Sequence, residues 1–204
     1  MGFRILMIVL LLGNLFLLVQ VIQSARAQSL LSQRPAIYAT GPQDADLTLV
    51  EFFDYTCDPC LKIAPALREA LKKDGKVMYV ARPVADDNLD GLPHAKLALA
   101  AAKQGKFSAM HDALISDYRA LDQKRIDTLV ASLGMDAVQT KKDLESKEIA
   151  NQLDENAWLL RKSFGTSLPY IITSNNLVFT TGGKTPTIDD FLKFFNAARS
   201  QQNG

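Results

Sequence analysis

The chain carries two cysteines, Cys57 and Cys60, and they stand where a strand-like run gives way to a helix-like one. Residues 47–53, Leu-Thr-Leu-Val-Glu-Phe-Phe, are apolar, β-branched and aromatic over strand length, the pattern of a buried central strand. Residues 57–73 then place Ile63, Ala64, Leu67, Ala70 and Leu71 on one helical face, and Asp74-Gly75 stops the helix. Residues 77–81, Val-Met-Tyr-Val-Ala, read as a second strand. Strand, helix, strand is a βαβ unit, so the two strands should run parallel with a right-handed crossover.

The rest of the chain keeps an α/β plan. Residues 29–35 read as a flexible lead, and Ile37-Tyr38 as a short edge strand before the Gly41-Pro42 turn. Residues 93–163 are almost wholly helical in pattern. Phe107, Met110, Ala113 and Leu114 recur at helical spacing, Asp122 caps a helix ending at Gly134, and Asp136 caps the next with Gln139. Residues 149–164 form a last amphipathic helix of this block. Residues 170–173 and 177–180 flank Ser174-Asn175-Asn176 as an antiparallel hairpin, and Thr187 caps a final helix bearing Ile188, Phe191, Leu192 and Phe195. The order is βαβ, a helical block, then ββα.

The N-terminus reads as an export signal. Arg4 supplies positive charge, residues 5–22 are apolar apart from Gly13, Asn14 and Gln20, and Ala25-Arg26-Ala27 offers small residues for cleavage before Gln28. The expected division is residues 1–27 as signal peptide and 28–204 as one domain. An uncleaved anchor is the rival, since 18 residues is about the lower limit for a membrane span. Either way the globular part lies outside the cytoplasm, in the periplasm. Net charge is only +1 over 204 residues. Lys72-Lys73 and Lys141-Lys142 sit in mixed-charge helical contexts, so solvated helix faces are expected there and no nucleic-acid partner.

Export makes the cysteine spacing informative. Structural disulfides of exported proteins stabilise by closing loops, and the gain grows with loop length. A pair three positions apart closes almost nothing and is better read as reactive. Cys57 falls at a helix start, where backbone N–H groups and the helix dipole favour a thiolate, and Cys60 lies one turn further in. That spacing suits an exposed attacker followed by a shielded resolver. Zinc would want a second pair of ligands, and His94 and His111, the other candidates, are wrongly spaced and suit packed positions. Copper(I) held by the two sulfurs is a binding-module alternative. Nothing in the sequence calls for a cofactor or a metal.

Cys-Asp-Pro-Cys-Leu-Lys-Ile-Ala-Pro, residues 57–65, resembles the thioredoxin active-site helix, down to a proline five positions after the second cysteine. Val-Glu-Phe-Phe-Asp-Tyr-Thr-Cys before it, and Ala-Lys-Leu-Ala-Leu-Ala-Ala-Ala-Lys-Gln-Gly-Lys-Phe in the helical block, resemble the DsbA family of thiol–disulfide oxidoreductases. The likeness runs over residues 37–199. It implies a thioredoxin fold with a helical insertion over about residues 84–163. It implies that Cys57 and Cys60 are the redox pair, and that Glu51 is a buried acid beneath them that accepts and returns the proton of Cys60. It also implies a cis-proline at Pro169, with Leu168 free to pair with a client strand. Without the likeness, Pro169 would be taken as an ordinary trans loop proline.

The chain departs from the family in two places. Phe-Gly-Thr-Ser-Leu-Pro, residues 164–169, is one residue shorter than the usual approach to the cis-proline, which alters the groove. The spacer Asp58-Pro59 replaces the Pro-His of strong oxidants. A carboxylate beside Cys57 raises its pKa and proline offers no N–H, so a milder oxidant is expected. Its potential should fall between the roughly −120 mV of DsbA and the roughly −270 mV of thioredoxin.

The implied partners are reduced or misfolded exported proteins and a membrane redox partner. That partner would be DsbB-like for an oxidase and DsbD-like for a reductase or isomerase. Residues 28–46 are too few for a dimerising module, which favours a monomeric oxidase. A cytochrome c maturation reductase usually carries Trp before the first cysteine, where this chain has Thr56.

Overall fold

A computed structural model describes residues 2–34, 38–85, 90–117 and 120–202. The chain divides into two units, residues 1–33 and residues 34–204. The first is a single helix, α1 (Gly2–Ser32). It extends well beyond the apolar run and includes Ser29–Ser32, which the sequence suggested were a flexible lead. Within it, residues 10–32 are long and apolar enough to cross a membrane.

The second unit contains β1 (Ala39–Thr40), β2 (Leu47–Phe53), α2 (Asp58–Asp74) and β3 (Val77–Pro83). The helices α3 (Leu92–Lys103), α4 (Phe107–Ser116), α5 (Gln123–Ser132), α6 (Ala137–Leu144) and α7 (Lys147–Lys162) follow. It closes with β4 (Tyr170–Thr173), β5 (Val178–Phe179) and α8 (Ile188–Gln202). The strands form one sheet in the order β1-β3-β2-β4-β5. β2 runs parallel to β3, with Glu51 opposite Ala81, and antiparallel to β4, with Glu51 opposite Ile171. This is the thioredoxin-like βαβ and ββα arrangement expected. The edge strand lies two residues later than the sequence suggested: Ala39 pairs with Val80, Tyr38 is in a turn, and Ile37 lies outside the described residues.

β2 is buried along its whole length because helices cover both faces of the sheet, which explains its continuous apolar run. On one face α2 and α8 close over Leu47, Leu49 and Val77 with Ile63, Leu67 and Phe191. Each such fully buried Leu or Phe contributes about 1.5–3 kcal/mol. α2 ends where Gly75 adopts φ 70° and returns its N–H to Leu71, a left-handed cap that other residues reach only with strain. Arg199 of α8 donates two 2.8 Å bonds to Asp74, clamping the C-terminal end of α2. The far end of α2 therefore presents its first turn from a fixed base.

Candidate active site

β2 delivers the chain at Phe53 to a turn built by Asp54. Its buried carboxylate accepts the Thr56 N–H and the Thr56 hydroxyl, both at 2.6 Å, and its carbonyl accepts the Cys57 N–H at 3.2 Å. An Asx turn of this kind fixes the backbone two residues on. Gly91 leads α3 directly over this carboxylate, and a Cβ there would overlap it. The turn is thus held from both sides before the first cysteine arrives.

Cys57 is the N-cap of α2, with extended backbone (φ −78°, ψ 105°), and its Sγ accepts the Cys60 N–H at 3.3 Å. Pro59, at the second helical position, has no N–H to give, so Cys60 supplies the capping bond. The two cysteines are joined in a disulfide with Cα atoms 5.3 Å apart. Their exposure differs sharply. Cys57 is half-buried between exposed Asp58 and Pro59 and the turn, whereas Cys60 is only 3% exposed. Opened by two electrons, the bond would leave one sulfur at the surface on a helix N-terminus and one facing inward. A developing thiolate on Cys57 is favoured by that end of the dipole.

The spacer carboxylate does not stand alone. Asp58 pairs with Lys62 one turn on at 2.5 Å, both side chains being mostly exposed. The charge beside the first cysteine is therefore that of an exposed ion pair and not of a lone carboxylate, and solvent screens it.

Beside the disulfide lies an open groove of about 600 Å³. Pro59 and Lys62 at the start of α2 form one wall, and Ser167, Leu168 and Pro169 form another. The Leu168–Pro169 peptide bond is cis. The fold thus brings the spacer and the Leu168-Pro169 loop to one place although they are far apart in sequence.

On the inner side, Glu51 is 4% exposed, in the middle of β2. An exposed edge position for this acid is thereby excluded. Burial pushes its carboxyl up to about 7 from the ordinary 4.5, while a hydrogen bond from Tyr79 Oη to Oε2 at 2.5 Å opposes the rise. Glu51 and Tyr79 line a cavity of about 290 Å³ that also touches Ala64, Leu67, Arg68 and His111.

His94 and His111 are packed, not paired as ligands. His94 stacks on Tyr55 (ring centroids 6.2 Å apart) and His111 on Phe107 (5.5 Å), while Tyr55 Oη and His111 Nδ1 share a 3.0 Å hydrogen bond. Burial and the nearby Arg68 push His111 down to about 3. Among the described residues no group of three or more His, Cys, Asp or Glu is placed to hold a metal.

Sequence reasoning missed Asp54 and Tyr79, and it placed Phe164 inside the last helix of the block, which ends at Lys162. Asp54 had a signal, since Asp two positions before Thr is an Asx-turn pattern. Tyr79 had none, because its contact with Glu51 depends on sheet register. Phe164, 87% exposed with φ 62°, sits where α7 gives way to the groove loop, a position usually held by glycine.

The sequence profile of the family described as Thioredoxin matches residues 34–178. Among solved structures, the chain is similar to a thioredoxin-like oxidoreductase from Silicibacter pomeroyi DSS-3, with TM-score 0.71, 25% identity, and coverage of 84% of this chain and 96% of that one. It also shares its fold with the thiol-disulfide exchange protein alpha-DsbA2 from Wolbachia pipientis, with TM-score 0.67, 19% identity, and coverage of 89% and 98%. A curated relative, the Na(+)/H(+) antiporter NhaA 3 of Salinispora tropica, is 31% identical over 121 residues, 58% of this chain. The chain spans about a fifth of the length of the curated relatives it matches, 19% in that case.

Proposed function

The chain belongs to the thioredoxin family, and on that premise we propose that it is a thiol–disulfide oxidoreductase that exchanges disulfides with exported client proteins, acting as an oxidase. A client thiolate attacks the Sγ of Cys57, the Cys57–Cys60 bond breaks, and Cys60 leaves as a thiolate that takes a proton from Glu51. A second client thiolate then attacks the client sulfur of the mixed disulfide. The client disulfide forms and Cys57 leaves as a thiolate. The reduced pair is reoxidised by a membrane partner of the DsbB kind. Leu168 and Pro169 hold the client strand across the groove beside Pro59.

One observation supports this reading above the others: the half-buried Cys57 caps a helix start through its sulfur while its partner Cys60 is only 3% exposed. Only such an asymmetric pair can offer one sulfur to a macromolecule and keep the other in reserve. Export is supported by α1, whose length and apolar character suit either a cleaved signal of residues 1–27 or an uncleaved anchor. Residues 28–204 then form one monomeric domain with the helical insertion at about 84–163, working in the periplasm.

The test is to equilibrate the pair with glutathione, then follow oxidation of a reduced, disulfide-containing client beside reduction of insulin. An oxidase oxidises the client quickly and reduces insulin slowly. Fast insulin reduction with no client oxidation would reverse the assigned direction.

A further inference from the structure

The cavity behind Glu51 reaches from the buried carboxyl to solvent. Glu51 and His111 are buried at its inner end, Tyr79 is half-buried in its wall, and Thr40, Gly41, Arg68 and Lys72 are exposed at its mouth. It runs along the face of α2 that carries Cys60, because Ala64, Leu67 and Arg68 follow that cysteine at helical spacing. At about 290 Å³, with an acid, a phenol and an imidazole on its walls, it has room and polar partners for several waters.

We propose that Tyr79 is a positioning residue for Glu51, and that the proton Glu51 takes from Cys60 leaves through this cavity, away from the client groove. The proposal rests on the reading of Glu51 as the proton acceptor of Cys60. In the step that re-forms the pair, Cys60 attacks the mixed disulfide on Cys57. Its S–H gives its proton to the Glu51 carboxylate and the Cys60–Cys57 bond forms. The bond from Cys57 to the partner sulfur breaks, and its electron pair leaves on the partner thiolate. Glu51 is then neutral, and its proton must reach water before the next cycle.

Tyr79 donates to the Glu51 carboxylate, so it favours the charged, proton-accepting form against the cost of burial. Its own phenol is pushed well up by burial and by Glu51, so it remains a donor and does not compete as a base. The other groups facing Glu51 cannot replace it. Tyr55 is engaged with His111, which burial keeps neutral, and Asp112 of α4 is paired with Arg68 of α2 at 2.8 Å near the mouth. β4 offers the apolar Ile171 opposite Glu51.

The experiment measures the rate at which Cys60 resolves a glutathione adduct on Cys57 in the full chain, from pH 5 to 9. The parent, Tyr79→Phe and Glu51→Gln are compared. Glu51→Gln should erase the pH midpoint near 7. If the midpoint survives, the reading of Glu51 itself fails. Given that control, Tyr79→Phe should move the midpoint up by about one pH unit and slow resolution at pH 6.5 about tenfold, the loss of one hydrogen bond to a charged acceptor. A Tyr79→Phe profile that overlays the parent overturns the positioning role. For the route, Ala64→Leu and Leu71→Phe each fill the cavity. Exchange of the Glu51 acid proton with D₂O, read from its carboxyl C=O stretch, should slow at least tenfold in whichever variant folds. Exchange as fast as in the parent overturns the route.

Discussion

The two sides of the disulfide are built from opposite materials. Outside Cys57 lies an open groove walled by short polar residues, glycines and the Leu168-Pro169 loop, with the exposed Asp58–Lys62 pair at its edge. Along the face of α2 that also carries Cys60 lies a smaller cavity with mostly apolar walls, an acid whose pKa is pushed up to about 7 and a tyrosine bonded to it. Charges on the outer side are screened by water, while groups on the inner side feel burial in full. Substitutions on the outer side should therefore alter which clients bind. Those on the inner side should alter how protons and rates depend on pH.

The sulfurs themselves give the largest effect. Cys57→Ala should abolish both client oxidation and insulin reduction, whereas Cys60→Ala should accumulate mixed disulfides visible on non-reducing gels. Next comes the inner acid. Glu51→Gln should slow the resolving step about 100-fold at pH 7, the low end of what a positioned acid–base group supplies, as read by stopped-flow quenching.

The same acid shapes stability. With a folded pKa of about 7 against 4.5 unfolded, Glu51 binds its proton more tightly in the folded chain. Its contribution to stability therefore falls as pH rises through that window, by about 3 kcal/mol in all. His111, pushed down to about 3 from 6.5, acts in the other direction, adding stability as pH rises through its own window. The two slopes oppose each other between pH 4.5 and 6.5, so only the difference between proteins isolates Glu51. The unfolding free energy of Glu51→Gln minus that of the parent should grow by about 3 kcal/mol from pH 4.5 to pH 8 in urea titrations of the oxidised protein.

On the outer side, Leu168→Asp should raise KM for a protein client about tenfold, the cost of one lost interface contact, and leave reduction by dithiothreitol unchanged. The smallest effect belongs to the spacer. Because Asp58 is already paired with Lys62 in solvent, Asp58→Asn should shift the reduction potential by less than about 20 mV. A larger shift would mean that the outer side is less screened than described.

Much of this layout is legible in the sequence. The unbroken apolar run at residues 47–53 marks a strand covered on both faces, and residues 170–173 coincide with β4, because both patterns come from burial alone. The caps at Asp122, Asp136 and Thr187 stand where their side chains suggested. Boundaries set by neighbours were harder to see. α7 begins at Lys147 because Ser146 caps it, two residues ahead of the apolar periodicity, and β1 lies where β3 offers free backbone rather than where Ile37 suggested. At the site, Cys57, Cys60 and Glu51 are visible in one continuous stretch of sequence. The Tyr79–Glu51 bond is not, since it joins adjacent strands whose register no local pattern encodes.

The measurement that bears most directly on the asymmetry is brief alkylation of the fully reduced protein at pH 6, with each cysteine quantified by mass spectrometry. Rapid labelling of Cys57 with Cys60 left unmodified until the chain is unfolded is the predicted result. Equal labelling of the two, or faster labelling of Cys60, would contradict it.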